Sequence, residues 1–156
     1  PGFTRSASML LGLLALVAAA LFTGAAFYVN FAEQPARLKL DDRALLAEWK
    51  PAYKRGFIMQ ASLAVIGFLL GAGAWWQAGS ILFIIGGLVI LANWPWTLLV
   101  IKPVNDALMA TPLEKAGPQS RRLVEKWGTL HAVRTGLGAL ALAIFLASLA
   151  DFAQQA

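Results

Sequence analysis

Residues 57–101 read FIMQASLAVIGFLLGAGAWWQAGSILFIIGGLVILANWPWTLLVI, and none of these 45 residues is charged. A helix needs about 20 predominantly apolar residues, at 1.5 Å rise each, to cross about 30 Å of hydrocarbon. The stretch holds two such runs, 57–76 and 80–101, joined only through Gln77-Ala78-Gly79-Ser80. So short a connection forces an antiparallel hairpin, which predicts two membrane spans in succession. Moving outward, residues 8–31 form another uncharged run. Residues 136–150 form a fourth, long enough to cross only if its helix begins near residue 128 and carries His131 and Arg134 at the interface, where a long Arg side chain can snorkel. The expected fold is therefore all-α: an integral membrane four-helix bundle with spans at about 8–31, 57–76, 80–101 and 128–150. A cleaved signal peptide is the other reading of residues 8–31, since Arg5 precedes an apolar stretch with Ala18, Ala19 and Ala20. The length of the run favours a span.

Composition agrees. The chain is 59% hydrophobic and 13% charged, against roughly 25% charged in soluble domains. Its 156 residues are expected to form one four-span domain over 1–156 with no separate soluble unit. There is no cysteine, which excludes disulfides, thiolate metal sites, dithiol redox chemistry and thioether haem attachment within the sequence. The net charge of +5 does not indicate nucleic acid, because the basic residues lie between apolar runs and form no soluble face.

Those charges set an orientation. Arg37, Lys39, Arg43, Lys50, Lys54 and Arg55 follow the first run, and Lys102, Lys115, Arg121, Arg122 and Lys126 follow the third, whereas Arg5 stands alone at the opposite end. Basic residues in short loops beside spans favour the cytoplasm. Loops one and three are expected to be cytoplasmic and both termini outside, with the inner membrane of a bacterium as the expected location. Asp41-Asp42 can cap a helix through Trp49 with Leu45, Leu46 and Trp49 on one side, and a similar element runs from Arg121 to Trp127. Both read as short interfacial helices in loops one and three, with membrane lipid as a partner.

Polar side chains are costly in lipid and mark places to look for function. Residues three or four apart share a helix face, so Asn30, Glu33 and Arg37 form one stripe, Asn93 and Thr97 a second, with Trp94, Trp96 and Asn105 near it, and Trp127, His131 and Arg134 a third. All lie toward the loop-one and loop-three ends of their helices. Pro35, Pro95 and Pro103 loosen backbone hydrogen bonds at that depth. The expectation is a shared cavity open toward the cytoplasmic leaflet. Each part also has a plainer reading: Glu33 paired with Arg37, His131 and Arg134 at lipid headgroups, Trp94 and Trp96 as packing. Gly67 and Gly71 have the small-xxx-small spacing of closely packed helices, within the bundle or in a homo-oligomer.

Four blocks in order carry a resemblance: Gly24-Ala-Ala-Phe-Tyr-Val-Asn30-Phe-Ala-Glu33-Gln-Pro35-Ala-Arg37; Trp49 with Tyr53 and Arg55; Trp94-Pro-Trp-Thr97 through Lys102-Pro-Val-Asn105; and Trp127-Gly-Thr-Leu-His131-Ala-Val-Arg134-Thr. With these the chain resembles the DUF1772 family of small four-span membrane proteins, which includes the fungal anthrone oxygenases. The resemblance implies oxidation of an activated aromatic methylene, such as that of an anthrone, to a quinone by O₂ with no metal and no other cofactor, and the expected substrate is an apolar aromatic of anthrone or hydroquinone type. It implies His131 as general base and Arg134 as the group that stabilises an enolate or peroxide oxygen. Asn30, Asn93 and Asn105 would orient substrate oxygens, and Trp94 and Trp96 would stack on a planar ring.

Two other classes stay open at this point. A metal enzyme has a poor ligand set, one histidine and few carboxylates at the right depth, although a second subunit would supply a second His131. A non-catalytic quinone- or lipid-binding protein, or accessory subunit, would use the same cavity without turnover. A transporter finds no polar path across the outer half.

Overall fold

The structure, a computed structural model, describes residues 2–154; the ends of the expected 1–156 domain lie outside the described residues. Four helices are long and apolar enough to cross a membrane: Arg5–Arg37, Asp42–Ala78, Ile81–Ala110 and Pro118–Gln154. They pack as an all-α membrane bundle in which the first span lies against the second and fourth, and the third also lies between the second and fourth. Leucines, isoleucines and phenylalanines such as Leu10, Leu21, Phe31, Ile58, Leu69, Leu88, Leu99 and Leu146 point outward, the apolar exterior that lipid solvates as well as a protein core would. Trp76 is 83% exposed, in keeping with an interfacial anchor, while Trp75 packs on the core.

The hairpin turn is explained by two residues. Gly79 takes φ 75°, the left-handed conformation that glycine adopts without a Cβ clash, and its N–H closes on Trp75 O at 2.7 Å. A Cβ built on Gly71 would stand 2.8 Å from Phe83 O and 2.9 Å from the Phe145 ring, so the second and third spans meet at backbone distance. The small-residue spacing thus serves packing inside this bundle.

At the opposite end, all four helices outrun their apolar stretches. The second and fourth spans each have 37 residues, about 55 Å at 1.5 Å per residue, against about 30 Å of hydrocarbon. Asp41 caps the second helix as expected, accepting from Arg43 N at 3.0 Å and Ala44 N at 2.9 Å. The helices read in loops one and three are present, but they run without a break into the second and fourth spans. Leu45, Leu46 and Trp49 also turn inward: they form a second core with Ile101, Val104, Leu108, Val124 and Trp127. Burial against one another outweighs adsorption to a lipid surface because four helix extensions are there to pack.

Some loop charges have structural roles. Arg121 donates to Leu38 O at 2.9 Å, to Leu40 O at 2.5 Å and to Asp42 Oδ1 at 2.5 Å, taking up carbonyls at the end of the first helix. Lys50 donates to Met109 O at 3.2 Å and Thr111 O at 2.6 Å at the end of the third.

Between this second core and the first, built on Ala15, Ala19, Phe22, Ala64, Phe83, Ile90 and Phe145 among others, lies a layer of buried polar residues. Two π-helical turns flank it, Val29–Glu33 and Thr97–Ile101. Each closes on the residue just before a proline: Gln34 N–H reaches Val29 O ahead of Pro35, and Lys102 N–H reaches Thr97 O ahead of Pro103. A proline ring crowds the carbonyl four residues back and offers no N–H, and the wider π ladder accommodates it. Such turns recur at functional sites.

Candidate functional site

The polar layer contains Asn30, Gln34, Arg37, Gln60, Asn93, Thr97, Asn105, His131 and Arg134, all but Asn30 fully buried. Asn30 fixes the chemistry of its neighbour. Its Nδ2 donates to Gly128 O at 2.8 Å, which leaves Oδ1 as an acceptor. Thr135 Oγ1 donates to that oxygen at 3.0 Å, and His131 Nδ1 lies 2.8 Å from it. His131 therefore carries its proton on Nδ1 and keeps a lone pair on Nε2, the form of a general base whose second nitrogen is held by a partner.

Gly128 makes this approach feasible: a Cβ there would fall 2.6 Å from Gln34 Nε2. Gln34 in turn donates to Val124 O at 2.8 Å, so the first span is stitched to the fourth through two side-chain amides.

His131 and Arg134 face a cavity lined also by Glu33, Arg37, Tyr53, Gly56, Phe57, Gln60, Asn105 and Trp127. Its free volume is about 30 Å³, room for about two waters, so its walls must part before an aromatic ring enters. Its mouth lies among the half-buried Glu33, Tyr53, Gly56 and Phe57. Aromatic rings pave one side: Trp49 stacks on Tyr53 at 4.9 Å, meets Trp127 edge-on at 5.7 Å, and Trp127 lies 4.8 Å from the His131 ring.

The two arginines of the cavity differ. Arg37, 3% exposed, pairs with Glu33 one turn earlier and with Glu48 at 3.0 Å, and stands 5.7 Å over the Trp127 ring. Its charge is balanced. Arg134 has no ion pair among the described residues, and its Nε has no acceptor. Its guanidinium stands 5.6 Å from the centre of the Phe22 ring. A buried guanidinium without a carboxylate carries a desolvation cost that an anionic group beside it would offset.

A second, smaller cavity of about 10 Å³ is lined by Phe57, Ala61, Ala64, Asn93, Trp94, Thr97, Leu98 and Arg134. Asn93 donates to Ile90 O at 2.9 Å, and its Oδ1, like Thr97 Oγ1, Gln60 Oε1 and Asn105 Oδ1, has no hydrogen-bond partner among the described residues. Buried polar atoms left unsatisfied are costly unless a ligand or water meets them, and these four line the two adjoining cavities.

Of the residues expected from sequence, Glu33, Arg37, Asn105, Trp127, His131 and Arg134 meet in the first cavity and Asn93, Trp94, Thr97 and Arg134 in the second. Asn30 sits behind His131 with both ends of its amide engaged. Trp96 lines neither cavity; its indole N–H bonds Leu130 O at 3.1 Å and the ring packs on the second core. Sequence reasoning left out Tyr53, Gly56, Phe57 and Gln60. With Trp49, positions 53, 56 and 60 make a stripe spaced by four, three and four, which is the signal that would have exposed them. Among the described residues no three His, Cys, Asp or Glu side chains are grouped as a metal site would need.

A family model described as anthrone oxygenase matches residues 49–144, more than half of the chain. No curated protein and no solved structure matches it.

Proposed function

The chain belongs to the anthrone oxygenase family, and on that premise we propose that it oxygenates the activated methylene of an apolar, enolisable aromatic substrate of anthrone type, without a cofactor, in the cavity beside His131. The observation that carries this reading is the Asn30 amide, which holds His131 in the tautomer with Nε2 free next to the unpaired Arg134.

The chemistry follows from the residues. An anthrone methylene is acidic because its anion spreads onto the ring carbonyl oxygen. His131 Nε2 takes one methylene proton, and the oxygen anion settles against the Arg134 guanidinium. The electron-rich carbanion passes an electron to O₂, and the resulting radical pair combines to a C–O–O⁻ bond. The imidazolium returns its proton to the peroxide. His131 then takes the second methylene proton while the C–H electrons form C=O, the O–O bond breaks, and the departing hydroxide receives that proton as water. The balance is CH₂ + O₂ → C=O + H₂O, and His131 ends as it began. Asn30 acts as a positioning residue for His131, while Asn105, Asn93 and Thr97 meet substrate oxygens.

Gly56 provides a test of the cavity. A Cβ there meets nothing within 4 Å, so the side chain of Gly56→Leu starts in open space beside the mouth. Turnover of a tricyclic anthrone in lipid nanodiscs is expected to fall at least about tenfold, the loss that follows when reacting groups are displaced by about an ångström, while a smaller substrate with the same activated methylene loses far less. Equal rates on the tricyclic substrate for variant and wild type would contradict the assignment.

The reading includes sidedness: loops one and three face the cytoplasm and the termini face outward. In this cysteine-free chain, a charged maleimide is expected to label Lys126→Cys in inverted vesicles and Gln77→Cys in right-side-out ones. The reverse pattern would overturn the orientation.

A further inference from the structure

Two cavities and a groove lie in a row. The first and second cavities share Phe57 and Arg134. The second shares Phe57, Ala61 and Trp94 with a wide groove on the outer face, whose other walls are Ile58, Ser62, Val65 and Ile66. That groove is apolar and outward-facing, with Ile58 67% and Ile66 46% exposed, and it lies along an uncharged part of the second span. Its Ser62 hydroxyl is satisfied within the helix, donating to Ile58 O at 2.7 Å. The first cavity's mouth is different in kind, edged by Glu33 and Tyr53.

We infer that the apolar substrate enters His131's cavity sideways from the bilayer, through this groove and the second cavity, past a gate formed by Trp94 and Phe57. The inference rests on the reading that the site takes an apolar aromatic. Such molecules concentrate in hydrocarbon, and a route that begins there spares them a return to water. Trp94 is the movable element. Its ring borders both groove and second cavity, and one hydrogen bond, from Nε1 to Ala61 O at 3.2 Å, ties it across to the second span. Its backbone is interrupted on both sides: the helix Ile81–Leu91 ends just before Ala92, Pro95 follows, and the π turn begins at Thr97. Inside the gate, Asn93 Oδ1 and Thr97 Oγ1 are unpartnered, placed to receive a hydroxyl or carbonyl of a molecule passing toward Arg134. Protons and water exchange through the charged mouth at the other end.

The absence of cysteine makes the route measurable without turnover. Thr97→Cys places a thiol inside the gate and Ile66→Cys one in the groove. In proteoliposomes, N-phenylmaleimide dissolved in the lipid is expected to label both, and a sulfonated, water-confined maleimide to leave Thr97→Cys unreacted. Adding Trp94→Ala is expected to speed labelling of Thr97→Cys by at least about fivefold, the weight of one net hydrogen bond. Trp94→Phe, which keeps a ring and loses the N–H, is expected to act in the same direction if Trp94→Ala does not fold. The proposal fails if Ile66→Cys reacts while Thr97→Cys stays silent to the apolar reagent in every background, if the sulfonated reagent labels Thr97→Cys as fast as the apolar one, or if the Trp94 variants leave its rate unchanged. Because no substrate is turned over, these outcomes are independent of whether the protein is an oxygenase.

Discussion

His131→Ala is expected to lower turnover of an anthrone by about 10²–10⁴-fold, the usual contribution of a positioned acid–base group, while leaving product binding nearly intact. The expectation follows from the position of the imidazole. It contributes a lone pair, not bulk binding area, to a cavity already paved by Trp127 and Tyr53, with Trp49 packed behind them. Its partner provides a finer test. Asn30→Ala removes the acceptor on Nδ1 and frees the ring to turn or change tautomer, so kcat is expected to fall with KM little changed. Asn30→Asp keeps an acceptor for His131 and Thr135 and gives up the donor to Gly128 O. It is expected to recover part of the kcat that Asn30→Ala loses. Steady-state kinetics of the three variants checks the order. If Asn30→Ala changes KM alone, Asn30 touches substrate and does not position the base.

Arg134→Met is expected to separate activity from stability. A guanidinium that is 6% exposed and has no carboxylate pays a desolvation cost of several kcal/mol, of which its contact with the Phe22 ring returns about 0.5–2 kcal/mol. Methionine fills similar space with no charge to desolvate, so thermal unfolding in detergent is expected to move to higher temperature. Turnover is expected to fall by about 10²–10³-fold, the scale of losing one oxyanion-stabilising group in a dry site. A residue retained for packing would give the opposite pair: lower stability, with activity falling only as the fold is lost. Arg37 is the internal comparison, since removing it leaves Glu33 and Glu48 without their cation. Arg37→Met is expected to destabilise.

These contrasts also show what was legible in the chain. The apolar runs were enough for four antiparallel helices, because backbone groups in hydrocarbon are satisfied only inside helices or closed barrels. The polar stripes were enough to single out Glu33, His131 and Arg134, which line one cavity, and Asn93 and Thr97, which line the one beside it. Helix length was harder to read. The helices read at 42–49 and 121–127 were not joined to the spans because charges such as Lys54, Arg55, Arg122 and Lys126 break the apolar pattern and stay exposed on one side, while Leu45, Trp49, Val124 and Trp127 build a core on the other. Amphipathicity alone does not tell a lipid surface from a neighbouring helix. Trp94 and Trp96 could not both face the cavities, since two residues on a helix differ by about 200°; one lines the gate and the other faces the second core. Asn30 reads from sequence as a substrate ligand, and only the positions of Gly128 and Thr135, about 100 residues away, reveal that its amide is already used.

The most direct measurement is oxygen uptake by the purified protein in lipid, supplied with emodin anthrone and ¹⁸O₂, wild type beside His131→Ala. The account predicts one O₂ consumed per anthrone, one ¹⁸O atom at the former methylene carbon and the other in water, at a rate well above the uncatalysed reaction and dependent on His131. Uptake no faster than without protein, with a lipid or quinone found in the sample by mass spectrometry, would contradict it and make the cavity a binding site without turnover.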